Sequence, residues 1–376
     1  MIPVSSGTIM GRIARLRELL AREKTDVFLL FVAERYNSES MAYLSGFRGS
    51  SGALVVSQDR QYLVTDGRYA LQARAESPLD VLILDGMSLQ GKTAEILRQG
   101  GWKTAGFEAD RVSVSFFRGL ESSVSSWKDC SGLLPALRRR KDDVEAALIS
   151  KAGDLAYDSY LEVLGAVREG MTEKEFNALL EYTLRKNGAE GGWTNNGFIV
   201  ASGERSSLPH GAPTGRAFRK GDMVTVDFGA TVDGYMSDLT RNFSLGPLSP
   251  QGRDIQDTLL EAHLRAAEAL RPGVEGKAVD AVARDVVIRR GWGKHFPHGL
   301  GHGLGLEVHE APRLSPVSRD VLEEGDVVTV EPGIYIPEEG IGVRLENNVL
   351  VTPAGPVDLM EDIPVEADAI EALMRR

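Results

Sequence analysis

One cysteine in 376 residues excludes an internal disulfide, and a lone Cys130 fits a reducing compartment. No stretch reaches the roughly 18 consecutive apolar residues that a membrane-spanning helix needs. The first residues, Met1-Ile2-Pro3-Val4-Ser5-Ser6-Gly7, have no signal-peptide core. These absences point to a cytoplasmic protein without a membrane partner. Positive charge is also short. Lys and Arg total 43 against 54 acids, a net charge of −11, which argues against a nucleic-acid partner because that would want a basic patch. Low-complexity segments and solenoid periods are missing. What remains is an ordinary globular composition, 42% hydrophobic, long enough for two domains or one large domain with an appendage.

The most informative feature is a phrase that occurs twice. Gly221-Asp222-Met223-Val224-Thr225-Val226-Asp227-Phe228-Gly229 returns 104 residues later as Gly325-Asp326-Val327-Val328-Thr329-Val330-Glu331-Pro332-Gly333. Both are β-rich runs ending in a carboxylate and then a glycine. Upstream, Arg168-Glu169-Gly170 is echoed by Arg271-Pro272-Gly273 at nearly the same offset. Two echoes in one order predict a duplicated helix-then-strand unit.

Each carboxylate has a partner across a turn. Asp233-Gly234 favours a two-residue hairpin turn, which sets Asp227 opposite Thr240 and Asp238 on the diagonal, about 7–8 Å away. A turn centred on Glu338-Glu339 sets Glu331 opposite Glu346. Two hairpins then offer four acids, and buried acids repel unless they share protons or bind cations.

In chain order, residues 11–24 read as an amphipathic helix with Ile13, Leu16, Leu19 and Leu20 inside, and 26–31 as a buried strand. The glycine-rich turn Gly46–Gly52 is not a phosphate loop, because no Gly-Lys-Ser/Thr follows and a strand comes next. Helices and strands alternate to about residue 135. The charge run Leu137–Asp143 reads as a solvated linker and helix start. The expected organisation is α/β (α+β), with a small N-terminal α/β domain over 1–138 and a duplicated catalytic domain over 139–376. A long helix is expected over 141–168. Thr172-Glu173-Lys174-Glu175 is a capping box opening another, and two more are expected near 251–270 and 275–290.

Four of six histidines, His295, His298, His302 and His309, fall in one stretch whose glycines at 299, 301, 303 and 305 rule out a stable helix. A lone histidine is commonly a satisfied core residue; four among dense glycine suggest side chains crowding an ion. His309-Glu310 does not begin a zincin motif, since no histidine follows three residues on and Pro312 intervenes. Four acids with one or two histidines suit two divalent ions about 3.5–4 Å apart. Such an oxygen-rich set favours manganese, with cobalt or iron next, over thiolate-type zinc. A dinuclear site activates water and stabilises an oxyanion, so amide or ester hydrolysis is the natural chemistry.

The order Asp227, Asp238, His302, Glu331, Glu346 resembles the pita-bread metallopeptidases: Xaa-Pro aminopeptidases, Xaa-Pro dipeptidases and methionine aminopeptidases. The resemblance covers about 140–376 and implies a fold of two pseudo-symmetric α/β halves. It implies that Asp238 and Glu346 bridge two metal ions, most often manganese but also cobalt, zinc or iron. Asp227 would complete one ion, and His302 and Glu331 the other. Glu331 would carry a proton from a metal-bridging hydroxide to the leaving amine. His210 would help hold the oxyanion, His309 would contact substrate near the scissile bond or its proline, and His298 and Arg344 would flank it as substrate-binding residues. Residues 46–52 and 65–69 are similar to the N-terminal domain of aminopeptidase P-like and prolidase-like proteins, leaning to the former. The activity implied is removal of an N-terminal residue preceding proline, by a homodimer. The alternatives are an Xaa-Pro dipeptidase, a metal-free creatinase-like hydrolase and a non-catalytic binding module; the last two would be expected to have lost ligands.

Overall fold

The computed structural model describes residues 5–34, 36–193 and 197–366, so Met1–Val4 of the N-terminal stretch read above lies outside the described residues. The chain forms two compact units, Met1–Arg138 and Arg139–Arg376. Among the described residues no helix is long and apolar enough to cross a membrane.

The first unit is built on a six-stranded mixed sheet. Its order is Asp80–Ile83, Gln61–Thr65, Ser51–Ser57, Val27–Ala33, Thr104–Phe107, Ser126–Asp129. The central three strands form an antiparallel meander, and the flanking pairs are parallel. The first helix runs Ser6–Arg22, starting earlier than the apolar spacing suggested because the Ser5 hydroxyl accepts the Thr8 N–H and caps it. Ile13, Leu16 and Leu20 face inward as expected. Arg12 joins them, its guanidinium 4.1 Å from the Tyr43 ring. The Gly46–Gly52 segment, expected as a tight loop between strands, instead leads from helix Ser38–Ser45 into strand Ser51–Ser57.

One buried acid in this unit has a thermodynamic consequence. Glu108 is 3% exposed and accepts a 2.8 Å hydrogen bond from Asn37 Nδ2. Burial pushes its carboxyl up to about 7, against the Asn37 bond and the pull of Arg111 and Arg138. A folded-state pKa above the unfolded one means stability present at low pH and lost as pH rises from the ordinary glutamate range to about 7. Glu108→Gln keeps the amide contact without the charge. It is expected to add about 2 kcal/mol at pH 8 and almost nothing at pH 5, by the ~1.4 kcal/mol per unit rule discounted for relaxation. Urea unfolding at both values checks this; the same gain at pH 5 and pH 8 would refute it.

The charge run at 137–143 is not a solvated linker. Arg138 and Lys141 are buried, and Arg139 grips Asp326 through two 2.7 Å bonds. These partners lie up to 187 residues away, so local composition could not reveal them. Asp142 then caps helix Asp143–Leu164 in a reciprocal box with Glu145, which sets the start at 143.

The second unit is two halves of one design. Helices Asp143–Leu164 and Glu173–Lys186 precede a three-stranded sheet ordered Leu239–Ser244, Met223–Phe228, Ile199–Ser202. Helices Pro250–Glu268 and Gly276–Arg289 precede a five-stranded sheet ordered Glu310–Leu314, Gly301–Gly303, Val327–Val330, Asn347–Thr352, Gly355–Asp358. The duplication reaches single hydrogen bonds. Gly221 and Gly325 both take positive φ, +86° and +88°, as glycine readily does. Asp222 and Asp326 each accept the N–H of the residue three positions earlier, at 2.8 Å, and each pairs with an arginine, Arg216 and Arg139. Gly170 N–H donates to Phe218 O, and Gly273 N–H to Leu322 O. In the second half Ile255, Leu259, Val279 and Val286 pack on Val328, Val330 and Val349, all buried.

Both hairpins have the expected register. Val232 pairs with Tyr235 and Asp227 with Thr240, around a turn in which Asp233 and Gly234 both have positive φ. Ile336 pairs with Ile341, Gly333 with Arg344 and Val330 with Asn347, so Glu331 falls in line with Glu346. A bridge between Thr240 and Glu346 joins one half to the other at that point.

Candidate active site

The bridge brings the acids together. Asp238, His302 and Glu346, all buried, each offer one ligand atom within 4.8 Å of the others. His302 Nε2 lies 3.7 Å from Asp238 Oδ2 and 3.3 Å from Glu331 Oε1. Its Nδ1 is 3.1 Å from Gly303 O; an Nδ1–H donated there leaves the Nε2 lone pair facing the carboxylates. Asp227 joins the group through Arg344, whose Nη2 is 2.5 Å from Asp227 Oδ2.

The glycines around His302 serve the crowding that their spacing suggested. A Cβ on Gly301 would lie 2.1 Å from Thr329 O, and one on Gly303 2.1 Å from Ala311 O. Neighbouring strands therefore press against the backbone on both sides of the imidazole.

Supporting contacts hold each acid. Thr240 Oγ1 donates to Glu346 Oε2 at 2.6 Å and accepts Arg344 Nε at 3.0 Å. Asn348 clamps the Asp238 backbone, accepting its N–H and donating to its carbonyl. Thr329 donates to Glu331 and accepts the His302 N–H. Arg241, 1% exposed, donates to Thr240 O and Glu346 O behind the bridge. These four were missed from sequence. The signal available was thin: Thr329 and its counterpart Thr225 sit two residues before each repeated carboxylate, on the same strand face.

Electrostatics shows an acid cluster short of positive charge. Burial pushes Asp238 well above the usual carboxylate range, and Glu346 and Asp227 push it further. Glu346 is raised in the same way, by burial and then by Glu331 and Asp227. Asp227 is raised by burial against the pull of Arg344. Glu331 goes the other way: burial is outweighed by His302, with His298 and Arg344, which hold it at about 2. Asp227 Oδ1 and Asp238 Oδ1 are buried without a hydrogen-bond partner among the described residues. Buried carboxylate oxygens without partners, gathered beside an imidazole nitrogen, are a donor set that fits divalent cations.

The flanking residues differ from one another. His309 is exposed on one side while its ring lies 4.4 Å from that of His302; partial desolvation by the surrounding chain, then His302 and Arg313, lower it to about 4. His210 is exposed and close enough for its charge to act on both His298 and His309. His298 Nε2 is 3.2 Å from the Tyr335 hydroxyl. Arg344, expected to meet substrate, is 3% exposed, and its donors go to Asp227, Thr240, Tyr335 and Pro209 O. Four of its five N–H groups are thus engaged in orienting the acids and their neighbours. Of the remaining histidines, His263 is a core residue bonded to Val330 O, and His295 packs on Trp292.

The family model for metallopeptidase family M24 matches residues 147–353, and that for the creatinase/prolidase N-terminal domain matches 12–140. The chain belongs to metallopeptidase family M24. It is therefore a hydrolase, with the pita-bread fold of that family. It is 36% identical to an Xaa-Pro dipeptidase of Pyrococcus furiosus, over 91% of this chain and 96% of the other. Solved structures agree. An X-Pro aminopeptidase from Thermotoga maritima superposes with a TM-score of 0.87 at 38% identity, covering 92% of this chain and 97% of that one. An Xaa-Pro dipeptidase from Bacillus anthracis gives 0.88 at 36%, covering 94% and 98%. The buried Asp–His–Glu group is where this M24 chain is suited to bind divalent metal.

Proposed function

We propose that the chain hydrolyses the peptide bond between an N-terminal residue and a following proline, as an Xaa-Pro aminopeptidase. Asp227, Asp238, His302, Glu331 and Glu346 would hold two divalent cations, manganese first among the candidates. The carrying observation is the buried Asp238–His302–Glu346 group, with Asp238 Oδ1 left without a partner, in an M24 chain. When bound, such cations polarise a carbonyl and acidify water. The residues supply the rest. Glu331, kept ionised beside His302, is placed to take a proton from water and pass it to the departing nitrogen. His309 and His210, both exposed, would donate to the oxygen on which charge develops. His298, its ring 5.5 Å from that of buried Tyr335, would flank the substrate. Arg344 holds Asp227 and, through Thr240, Glu346.

A dipeptidase restricted to Xaa-Pro is the second reading, and two observations favour it. The Pyrococcus furiosus relative carries that name over nearly the whole chain. Arg313 is exposed, pairs in register with His302 and acts electrostatically on His309, a position where a guanidinium could meet the free carboxylate of a dipeptide. Xaa-Pro and Xaa-Pro-Yaa peptides of increasing length separate the readings. Comparable kcat/KM on tripeptides and longer substrates is the expected result. Cleavage of dipeptides alone, lost on amidating their C-terminus, would replace the first reading with the second.

A further inference from the structure

His309 sits on the loop between strands Gly301–Gly303 and Glu310–Leu314, after a register break between His302 and Gly303. The first half of the loop is anchored by its backbone and by buried leucines: Leu304 N–H donates to Val327 O at 3.2 Å, Gly305 O accepts the Met236 N–H at 2.8 Å, and Leu304 and Leu306 are buried. The second half, which carries His309, is anchored at Glu310, the next residue. Glu310 Oε1 accepts the Glu307 N–H at 3.2 Å, tying the loop to itself. Glu310 Oε2 receives Lys141 Nζ at 2.9 Å, with the lysine side chain 1% and the glutamate 8% exposed. The lysine stem lies along the loop: a Cβ on Gly305 would come 2.8 Å from Lys141 Cε. Lys141 itself is pinned, its N–H bonded to Gly325 O and its neighbour Arg139 locked to Asp326.

We propose that Lys141 is a positioning residue for His309, acting through Glu310 to hold the 303–310 loop so that the imidazole stays against His302. This rests on the role given to His309 above. An ion pair taken so far out of water contributes little net stability compared with an apolar pair of the same volume. Its geometric effect is larger, because it ties the end of the loop next to His309 to a fixed segment, where the backbone bonds at Leu304 and Gly305 do not reach.

The test is a double-mutant cycle on the metal-loaded enzyme, with amide exchange on the metal-free protein as an independent readout. Lys141→Met is expected to lower kcat on an Xaa-Pro peptide about tenfold, the scale typical of outer contacts, with metal content unchanged. In a His309→Ala background the same substitution should cost less than about twofold, because the residue it positions is gone. Exchange of the 303–310 amides should quicken about tenfold while that of strand Met223–Phe228 stays as it was. Equal losses in both backgrounds, or unchanged exchange in the loop, would overturn the proposal. If Lys141→Met misfolds through the stranded carboxylate, Lys141→Met/Glu310→Gln removes both charges and takes the same readouts. Wild type inactive on every proline peptide would defeat the substrate assignment and leave the exchange result to decide the role of Lys141.

Discussion

Glu346→Gln should lower turnover at least a thousandfold, a loss of about 4 kcal/mol in transition-state stabilisation. The substitution keeps the shape and the Thr240 contact but removes the charge at the centre of the cluster. Glu346 stands where the two halves meet, within ligand distance of Asp238 and His302 and in line with Glu331. A carboxylate there can serve both cations, so its loss weakens both. Asp238→Asn should behave alike. Retention of more than about a tenth of wild-type turnover in either would remove the bridging role. A second effect has the opposite sign. Burial and neighbouring acids push Glu346 up, so without cations the folded protein carries mutual repulsion that the glutamine relieves. Chelated Glu346→Gln is expected to unfold about 3 °C higher than chelated wild type, the size of a ~1 kcal/mol gain. A lower midpoint in chelator would show that Glu346 holds the fold together even without metal.

Metal removal is the other large effect. Chelation should abolish turnover, and manganese should restore it, to be compared with cobalt, iron and zinc. The loss in stability should depend on pH. Asp238, Glu346 and Asp227 are all raised above the usual range in the cation-free fold. Groups raised by folding hold protons that the unfolded chain has released, so the stability they contribute is present at low pH and lost as pH rises. Glu331 is held at about 2 and contributes in the opposite sense, but it is one group against three. The stabilisation by manganese, which binds only the folded state, should therefore be larger at pH 8 than at pH 5.5, where cations compete with protons. Thermal midpoints with and without chelator at both values give the comparison. Equal stabilisation at the two pH values would mean the acids are not gathered at the metal.

Much of the catalytic unit was legible because its information is local and repeated. The doubled phrase announced the halves, and Asp233-Gly234 and the 338–339 centre set registers that the strands keep. The capping box at Thr172–Glu175 was readable from four letters. What stayed hidden depends on segments that meet only in three dimensions. The bond from Arg344 to Asp227, 117 residues earlier, leaves no local mark in the sequence around either residue. Lys141 looked solvated because Glu310 lies 169 residues on. Asn348 and Arg241 act through backbone carbonyls and amides of other strands, which leave no mark in side-chain spacing. The first helix was placed late because Ser5, a cap, stands outside the apolar periodicity.

The Thr240–Glu346 bridge spans 106 residues of chain. During synthesis, Asp227 and Asp238 emerge from the ribosome long before their counterparts Glu331 and Glu346. A translation product interrupted anywhere between them lacks Glu346, and with it the buried Asp238–His302–Glu346 group. That group is complete only when the second half has been made and has closed onto the first.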